Sequence, residues 1–84
     1  MKYYIYHVYG VKIGCTNDTM RRVEIEQGYD RSEYTILEFH TNIYDASKRE
    51  RELQSIYGYK QDRDPYHKVF FKNKYGRVYM PLSN

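Results

Sequence analysis

Four side chains in this 84-residue sequence have the chemistry of a phosphodiester-cleaving site. Tyr6 has a phenol that can take part in proton transfer, and Glu50 has a carboxylate that can hold a hard divalent cation. Lys12 and Arg22 carry positive charges that can bind phosphate. Each residue alone is a weak signal, so the elements that position them decide whether they form a site.

Tyr6 lies in a predicted β-hairpin with the sequence YIYHVYGVKIGCT. Aromatic and β-branched residues predict strands at 3–8 and 11–15, and Gly10 between them predicts the turn. Two registers fit this pattern. In the first, a two-residue turn sets Tyr6 opposite Ile13.

The second register, with a three-residue loop at 8–10, is favoured on chemical grounds. It sets Tyr6 opposite Lys12 and pairs Ile5 with Ile13 on one face of the hairpin. The opposite face then gathers Tyr4, Tyr6, Lys12 and Gly14. A lysine that faces a tyrosine among apolar strand residues is either an accident of the solvent face or part of a site.

A helix after the hairpin is predicted to carry the arginine. Asn17 is a suitable N-cap, Asp18 suits the positive end of the helix dipole, and Gly28 is a suitable stop. Arg22 lies early in this helix. The segment YTILEFHT at 34–41 then predicts a third strand, because it alternates between two sets of residues with period two.

A second helix is predicted from Ile43 to Tyr57, with Asn42 as its N-cap and Gly58 as its stop. Its apolar stripe is formed by Ile43, Ala46, Leu53 and Tyr57. Glu50 occupies the remaining position of that stripe, where a carboxylate costs free energy unless it is paired or bound to a metal. Either Glu50 lies at the edge of the stripe and pairs with Arg49 or a basic residue of the first helix, or it belongs to a site.

The C-terminal part predicts a loop over residues 59–68, with or without a helical turn after Pro65, followed by a terminal hairpin in VFFKNKYGRVYMPL that turns near residues 73–76. The predicted fold class is α+β. It has a small, mostly antiparallel three-stranded sheet flanked by helices in the order ββαβα, plus a C-terminal hairpin or loop extension. Residues 1–66 are predicted to form the core, and residues 67–84 an extension of the same domain.

Composition sets the outer bounds on function. The net charge of +3 and the pI of about 8.9 are compatible with a nucleic-acid partner. Cys15 is the sole cysteine, which excludes an intramolecular disulfide and argues against a zinc site. The N-terminus has no long apolar segment and no run approaches about 18 apolar residues, so neither a signal peptide nor a membrane span is predicted and the cytoplasm is the expected location.

Several of these residues together resemble the GIY-YIG nuclease family. YIY at 4–6 and KIG at 12–14 are similar to the two halves of its signature, and Arg22 follows the glycine of KIG at the family's spacing. ASKRERELQ is similar to the family's helix, in which an alanine is followed four residues later by a glutamate, here Glu50. The resemblance covers residues 3–62 and includes the ββαβα order.

The resemblance implies metal-dependent hydrolysis of DNA phosphodiester bonds at a single-metal site. Tyr6 would help to activate the attacking water as base or relay, and Lys12 would stand where the second signature tyrosine usually stands. Arg22 would bind the scissile phosphate, and Glu50 would hold one Mg²⁺ or Mn²⁺ ion. Tyr6 and Glu50 are then expected on the same side of the sheet, with Tyr6 and Lys12 as the floor of the site.

The sequence departs from the family pattern at identifiable positions. The first signature glycine is Tyr4 here. One helical turn after Arg22, where many members carry a histidine or tyrosine, stands Glu26. Tyr29 or His40 is predicted to act as the auxiliary residue in its place.

The predicted function is that of a compact, phage-type endonuclease that holds DNA mainly through phosphate contacts. The residues expected to bind nucleic acid are Lys12, Arg21, Arg22, Lys48 and Arg49. The alternative is a catalytically impaired module of the same fold that binds nucleic acid or a protein. A homodimer through the C-terminal hairpin is a further expectation, and neither a membrane nor an organic cofactor is expected.

Overall fold

Three antiparallel strands form one sheet, in the order β2-β1-β3. The computed structural model describes residues 1–61 and 65–75. Its elements are β1 (Tyr3–Val8), β2 (Lys12–Thr16), a π-helix (Met20–Glu26), a 3₁₀ turn (Arg31–Glu33), β3 (Tyr34–His40), α1 (Ile43–Tyr57) and α2 (Tyr66–Tyr75). The predicted α+β class, with a three-stranded sheet and flanking helices, is confirmed. Within these residues, no helix combines the length and apolar character needed to cross a membrane.

The register of the β1–β2 hairpin matches neither predicted alternative. Tyr6 pairs with Gly14 rather than with Lys12 or Ile13. Its partner lies two positions beyond the one favoured from sequence, so each strand residue keeps the face predicted for it. The bulk of the Tyr6 ring explains this shift in register, because the ring lies against the backbone of Gly14, where any Cβ atom would overlap it.

The hairpin loop has the predicted length of three residues, but it spans residues 9–11 rather than 8–10. The Val11 amide donates to the Val8 carbonyl at 2.9 Å. Between them Gly10 has a φ of 72°, a left-handed conformation that glycine adopts without the steric cost of a Cβ atom.

β3 pairs with the other side of β1 and contains a bulge. Ile5 pairs with Glu38, whereas the next residue of β1 pairs with Ile36, so Leu37 is the extra residue. Leu37 packs against the core cluster that contains Ile5, and Glu38 forms an ion pair with Arg49 of α1 at 3.1 Å. The bulge therefore gives α1 both an apolar and a charged contact on β3.

The two faces of the sheet are covered by different helices. The face called here the α1 face packs Ile5, Ile13 and Cys15 against Ala46 and Leu53 of α1. The opposite face, called the Tyr6 face, packs Tyr6 and Val8 against Val23 of the π-helix and against Tyr34 of β3. Successive strand residues point to opposite faces, so this division follows from the alternation along β1.

The helix after the hairpin begins later than predicted. Its first residue is Met20, and the Asp18 side chain, not that of Asn17, accepts a hydrogen bond from the Arg21 amide at 3.1 Å. Hydrogen bonds in this helix reach five residues back, so it is wider than an α-helix. Gly28 follows it with a φ of 78°, as expected of a glycine stop.

α1 has the predicted bounds and the predicted caps. The Asn42 side chain accepts hydrogen bonds from two amides of the first turn, at 2.8 and 3.2 Å, and Gly58 ends the helix with a φ of 80°. Glu50 is buried on the inward stripe, as its position in the sequence indicated. Tyr57, in the last turn of that stripe, is 44% exposed, but its ring lies 4.7 Å from the His7 ring on the sheet face that α1 covers.

The predicted C-terminal hairpin is wrong over its first arm, because Tyr66–Tyr75 form the helix α2. Tyr66 and Phe70 both make edge-to-face contacts with Tyr3, at centroid distances of 6.1 and 5.8 Å, and these contacts hold α2 beside the sheet. The second arm, at 76–84, lies outside the described residues. The dimer contact predicted on this hairpin stays a prediction, and α2 spans the predicted boundary between core and extension.

Candidate functional site

An open cleft of about 710 Å³ lies along β2, the edge strand of the sheet. Its walls come from β1, β2, the π-helix, α1 and α2. The lining includes Tyr6, Lys12, Thr16, Arg21, Arg22, Glu26, Glu50 and Tyr66. All four residues that the sequence singled out for their chemistry therefore line one cavity.

Tyr6 and Glu50 reach this cleft from opposite faces of the sheet, so the expectation that they share one side is wrong. Tyr6 packs with Val23 on the Tyr6 face, whereas α1 carries Glu50 on the α1 face. Within residues 1–61 and 65–75, β2 has no neighbouring strand on its outer side, and Gly14 presents no side chain there, so the cleft continues around this edge from one face to the other. The site is a cleft around a strand, not a floor on one face.

The Tyr6 phenol is protonated at neutral pH in this environment. The ring is almost fully buried, and its hydroxyl donates a hydrogen bond to Gln27 Oε1 at 3.4 Å. Burial raises the pKa of Tyr6 above its ordinary value of 10.0, the nearby Glu50 carboxylate adds to the rise, and Gln27 and Arg22 offset only part of it. The phenol is thus suited to donate a hydrogen bond or relay a proton, and not to act as a resident base.

Two guanidinium groups of the π-helix face the cleft and share one carboxylate. Arg21 Nε lies 3.1 Å from Glu26 Oε2, and Arg22 NH1 lies 3.3 Å from Glu26 Oε1. All three side chains are exposed, so each ion pair is worth less than about 1 kcal/mol. An incoming phosphate group can therefore compete with Glu26 for both arginines.

Glu50 is a buried carboxylate, with 4% of its surface exposed. Burial raises the pKa of the Cys15 thiol, and the Glu50 carboxylate raises it further. Burial also raises the pKa of the Tyr66 phenol, with added contributions from Cys15, Tyr3 and Glu50. Glu50, Cys15 and Tyr66 all line the cleft, and the raised pKa of Cys15 keeps its thiol protonated and unreactive.

Glu50 fits one of the two common ways in which proteins bind divalent cations. Among residues 1–61 and 65–75, no group of three or more His, Cys, Asp or Glu side chains is arranged to enclose a metal ion. Mg²⁺ does not need such a cage, because it retains several waters and binds through one or two carboxylates together with substrate phosphates. A single carboxylate in a cleft open to phosphate suits Mg²⁺ or Mn²⁺, and it does not suit a closed zinc site.

The remaining predicted residues are distributed unevenly. Lys12 is half-buried and lines the cleft, but it pairs with Val8 across the hairpin, not with Tyr6. Tyr29 packs beside the core of the Tyr6 face and is not part of the cleft lining. His40 also lies away from the cleft, with Nε2 2.6 Å from a Glu38 oxygen on β3.

Lys48 and Arg49, both predicted to bind nucleic acid, are not brought to the cleft. They border a shallow depression on the outer side of α1. Arg49 forms ion pairs with Glu38 at 3.1 Å and with Glu52 at 3.3 Å. Of the five predicted nucleic-acid contacts, the cleft therefore contains only the three that precede β3.

Tyr66 and Gln27 are site residues that the sequence reasoning missed. Tyr66 falls in the predicted loop at 59–68, where a helical turn after Pro65 is an open alternative. Apolar residues three and four positions after Tyr66 are the signal that extends this turn into a helix. No comparable local signal marks Gln27, because its contact with Tyr6 joins two elements that the sequence alone does not dock.

Comparison with known proteins gives no relative for this chain: no family model, curated protein or solved structure matches it. The GIY-YIG resemblance therefore remains a prediction from the sequence.

Proposed function

We propose that this protein is a metal-dependent DNA endonuclease, of GIY-YIG type, that hydrolyses phosphodiester bonds in the cleft along β2. One observation carries the proposal: Tyr6, Arg22 and Glu50, which come from a strand and two helices on opposite faces of the sheet, line a single cavity. A phenol, a guanidinium and a buried carboxylate are the groups needed to orient an attacking water, bind a phosphate and hold a cation.

Arg22 and Arg21 bind the scissile phosphate in this proposal. Both guanidinium groups are exposed to the cleft, and both release Glu26 when a phosphate replaces it. Guanidinium is always charged and donates two parallel hydrogen bonds, so it stabilises the negative charge that grows on the phosphoryl oxygens. Lys12, on the edge strand, adds a third positive charge along the same wall.

Tyr6 orients the attacking water through its hydroxyl oxygen, and the proton that this water loses passes to bulk water in the open cleft. The raised pKa of Tyr6 keeps the phenol protonated, and its bond to Gln27 fixes the direction of the O–H group. Glu50 is the residue that would hold one Mg²⁺ or Mn²⁺ ion, and the charge of that ion would polarise the phosphate and stabilise the leaving oxygen.

Cleavage of supercoiled plasmid tests the proposal directly. With Mg²⁺ or Mn²⁺ the wild type is expected to nick or linearise the plasmid, and EDTA is expected to stop it. Glu50→Gln, which keeps the shape and removes the charge, should lower the rate by roughly a hundredfold or more. Glu52→Gln is the matched control, because Glu52 lies two residues away on the exposed side of α1.

Two results would contradict the proposal. A folded wild type that leaves plasmid and oligonucleotide substrates intact with both metals is not a nuclease of this kind. Equal activity in Glu50→Gln and Glu52→Gln would remove Glu50 from the site.

A second candidate function is a binding module without cleavage, and the Glu26 ion pairs favour it. Glu26 neutralises part of the charge of both arginines, which weakens the phosphate contact that catalysis needs. In that case Glu26→Gln should tighten binding of a labelled DNA duplex a few-fold in EDTA, without producing cleavage when Mg²⁺ or Mn²⁺ is restored. Metal-dependent cleavage by the wild type would reject this candidate.

A further inference from the structure

The Tyr6 face of the sheet is covered at one end and open at the other. The π-helix closes the hairpin end, where Val23 packs against Tyr6. Away from the hairpin, Phe39 is 50% exposed and Ile36 is 42% exposed. These two large apolar side chains therefore remain in contact with solvent. Single exposed apolar residues scattered over a protein surface are common, but two on the same face of one strand form a patch that calls for an explanation.

An aromatic pair and a cation lie together on this open part. Tyr4 and Phe39 are cross-strand partners, with ring centroids 6.2 Å apart and planes inclined by 52°. The Lys2 ammonium lies 4.6 Å from the centre of the Phe39 ring. These three residues are called here the aromatic platform.

The aromatic platform is continuous with the cleft. Tyr4 is paired with Phe39 on β3 and, on its other side, with Thr16 on β2. Thr16 lines the cleft, and Tyr6 follows Tyr4 on the same face of β1 and also lines it. A ligand that enters the cleft along β2 can thus reach Tyr4 across one strand spacing, about 5 Å, and Phe39 across two, about 10 Å.

The strand residues of this face carry a positive charge, which suits a polyanion. The strand residues that point to it are Tyr4, Tyr6, Val8, Lys12, Gly14, Thr16, Tyr34, Ile36 and Phe39. Among these strand residues, the single formal charge is that of Lys12. The acidic residue of β3, Glu38, pairs with Arg49 on the other face.

We propose that the aromatic platform stacks unpaired bases of the nucleic acid whose backbone lies in the cleft. The inference rests on the proposed function and names its substrate class: DNA with a single-stranded segment beside the scissile phosphate. Exposed aromatic rings on a sheet bind unpaired bases by stacking, with neighbouring cations on the backbone. Bases inside a duplex are already stacked and are not available to these rings.

Fluorescence anisotropy in EDTA tests the platform without cleavage. The probes are a labelled oligothymidine of about 20 nucleotides and a blunt duplex of the same length. Phe39→Ala should weaken binding of the single strand about tenfold or more, whereas Phe39→Tyr, which keeps a ring, should stay within about twofold of the wild type. Phe39 is half-exposed on an edge strand, and thermal melting establishes that each variant is folded.

Tyr57→Ala is the matched control, since Tyr57 is an exposed tyrosine that contacts His7 and lies outside the cleft lining. It should leave binding of the single strand unchanged. Blunt duplex should bind more weakly than the single strand and should respond little to Phe39→Ala.

Three outcomes would overturn the inference. The first is that wild type and Phe39→Ala bind the single strand equally well. The second is that Phe39→Tyr and Phe39→Ala lose the same amount of single-strand affinity. The third is that sedimentation shows a dimer of the wild type that Phe39→Ala dissociates. The third would make the platform an interface between copies of the chain. The proposed nuclease fails separately, since it is judged by plasmid cleavage and Glu50→Gln, neither of which depends on this binding measurement.

Discussion

The two faces of this sheet are built from the same three strands, yet a helix covers one of them far more completely. α1 has 15 residues, a length of about 22 Å, and it carries most of the core of the α1 face. The π-helix has seven residues and covers only the hairpin end of the Tyr6 face. The cleft opens at the β2 edge, where the two coverings meet.

Because of this difference, we expect the α1 face to contribute most of the stability of the domain and the Tyr6 face to contribute most of its binding surface. The α1 face gathers a larger core cluster and a helix with a complete N-cap. The Tyr6 face has a smaller cluster and a helix whose N-cap residue, Thr19, makes no capping hydrogen bond. We therefore expect substitutions on the α1 face to affect folding most, and substitutions on the open part of the Tyr6 face to affect binding most.

Deleting core side chains on each face is the strongest test of this asymmetry. Leu53→Ala should lower the free energy of unfolding by about 2–5 kcal/mol, because it leaves a cavity under α1. Val23→Ala should cost less, about 2 kcal/mol, because it removes fewer methyl groups under a short helix. Urea unfolding followed by circular dichroism measures both, and a larger loss for Val23→Ala would reverse the comparison.

Filling the space over Gly14 should disturb the contact between β2 and the Tyr6 face. A Cβ atom there would overlap the Tyr6 ring, so Gly14→Ala should cost about 1–3 kcal/mol. Replacing the ring by Tyr6→Leu in the same chain should recover part of this loss, because the overlapping atoms are gone. A double-mutant cycle in urea gives the coupling, and strictly additive effects would show that the ring moves away without cost.

The two helix starts offer a smaller and closely matched test. Asn42→Ala should lower stability by about 1 kcal/mol, because Asn42 accepts two hydrogen bonds from the first turn of α1. Thr19→Ala should cost less, about 0.5 kcal/mol, since Thr19 makes no capping hydrogen bond and loses only its side-chain hydrogen bond with Tyr34. Equal losses in thermal unfolding would mean that the π-helix start is as strongly fixed as that of α1.

The smallest expected effect is the acid sensitivity of the α1 face. Burial raises the pKa of Glu38, but the hydrogen bonds from His40 and Arg49 outweigh it and hold the pKa below its ordinary value of 4.5. The unfolded chain then binds more protons, so this stability is present above pH 4.5 and is lost as the pH falls through the lowered pKa.

Glu38 is partly exposed, so its contribution should stay below about 1 kcal/mol. Urea unfolding at pH 7 and at about pH 3 measures it. Glu38→Gln should show a smaller loss between these two pH values than the wild type does. An identical loss in both proteins would assign the acid sensitivity to other groups.

Local chemistry predicted α1 and its inward carboxylate correctly. Asn42 and Gly58 fix the ends of α1 through hydrogen bonds and a φ value that involve only neighbouring residues. The 3.6-residue period then fixes which side of the helix Glu50 occupies. The same kind of reasoning missed α2, because aromatic residues such as Phe70 favour strands and helices alike until a packing partner, here Tyr3, is known.

The sequence by itself thus determined the α+β class, the strands, α1 and the choice of Tyr6, Lys12, Arg22 and Glu50 as candidates. Only the tertiary structure decided that Tyr6 pairs with Gly14, that Glu50 reaches the cleft from the opposite face, and that Glu26 shares its charge with two arginines. Capping and periodicity act within a few residues, so they can be read locally. Register and the position of β2 at the sheet edge depend on which distant surfaces fit each other, and that fit is settled when the elements pack.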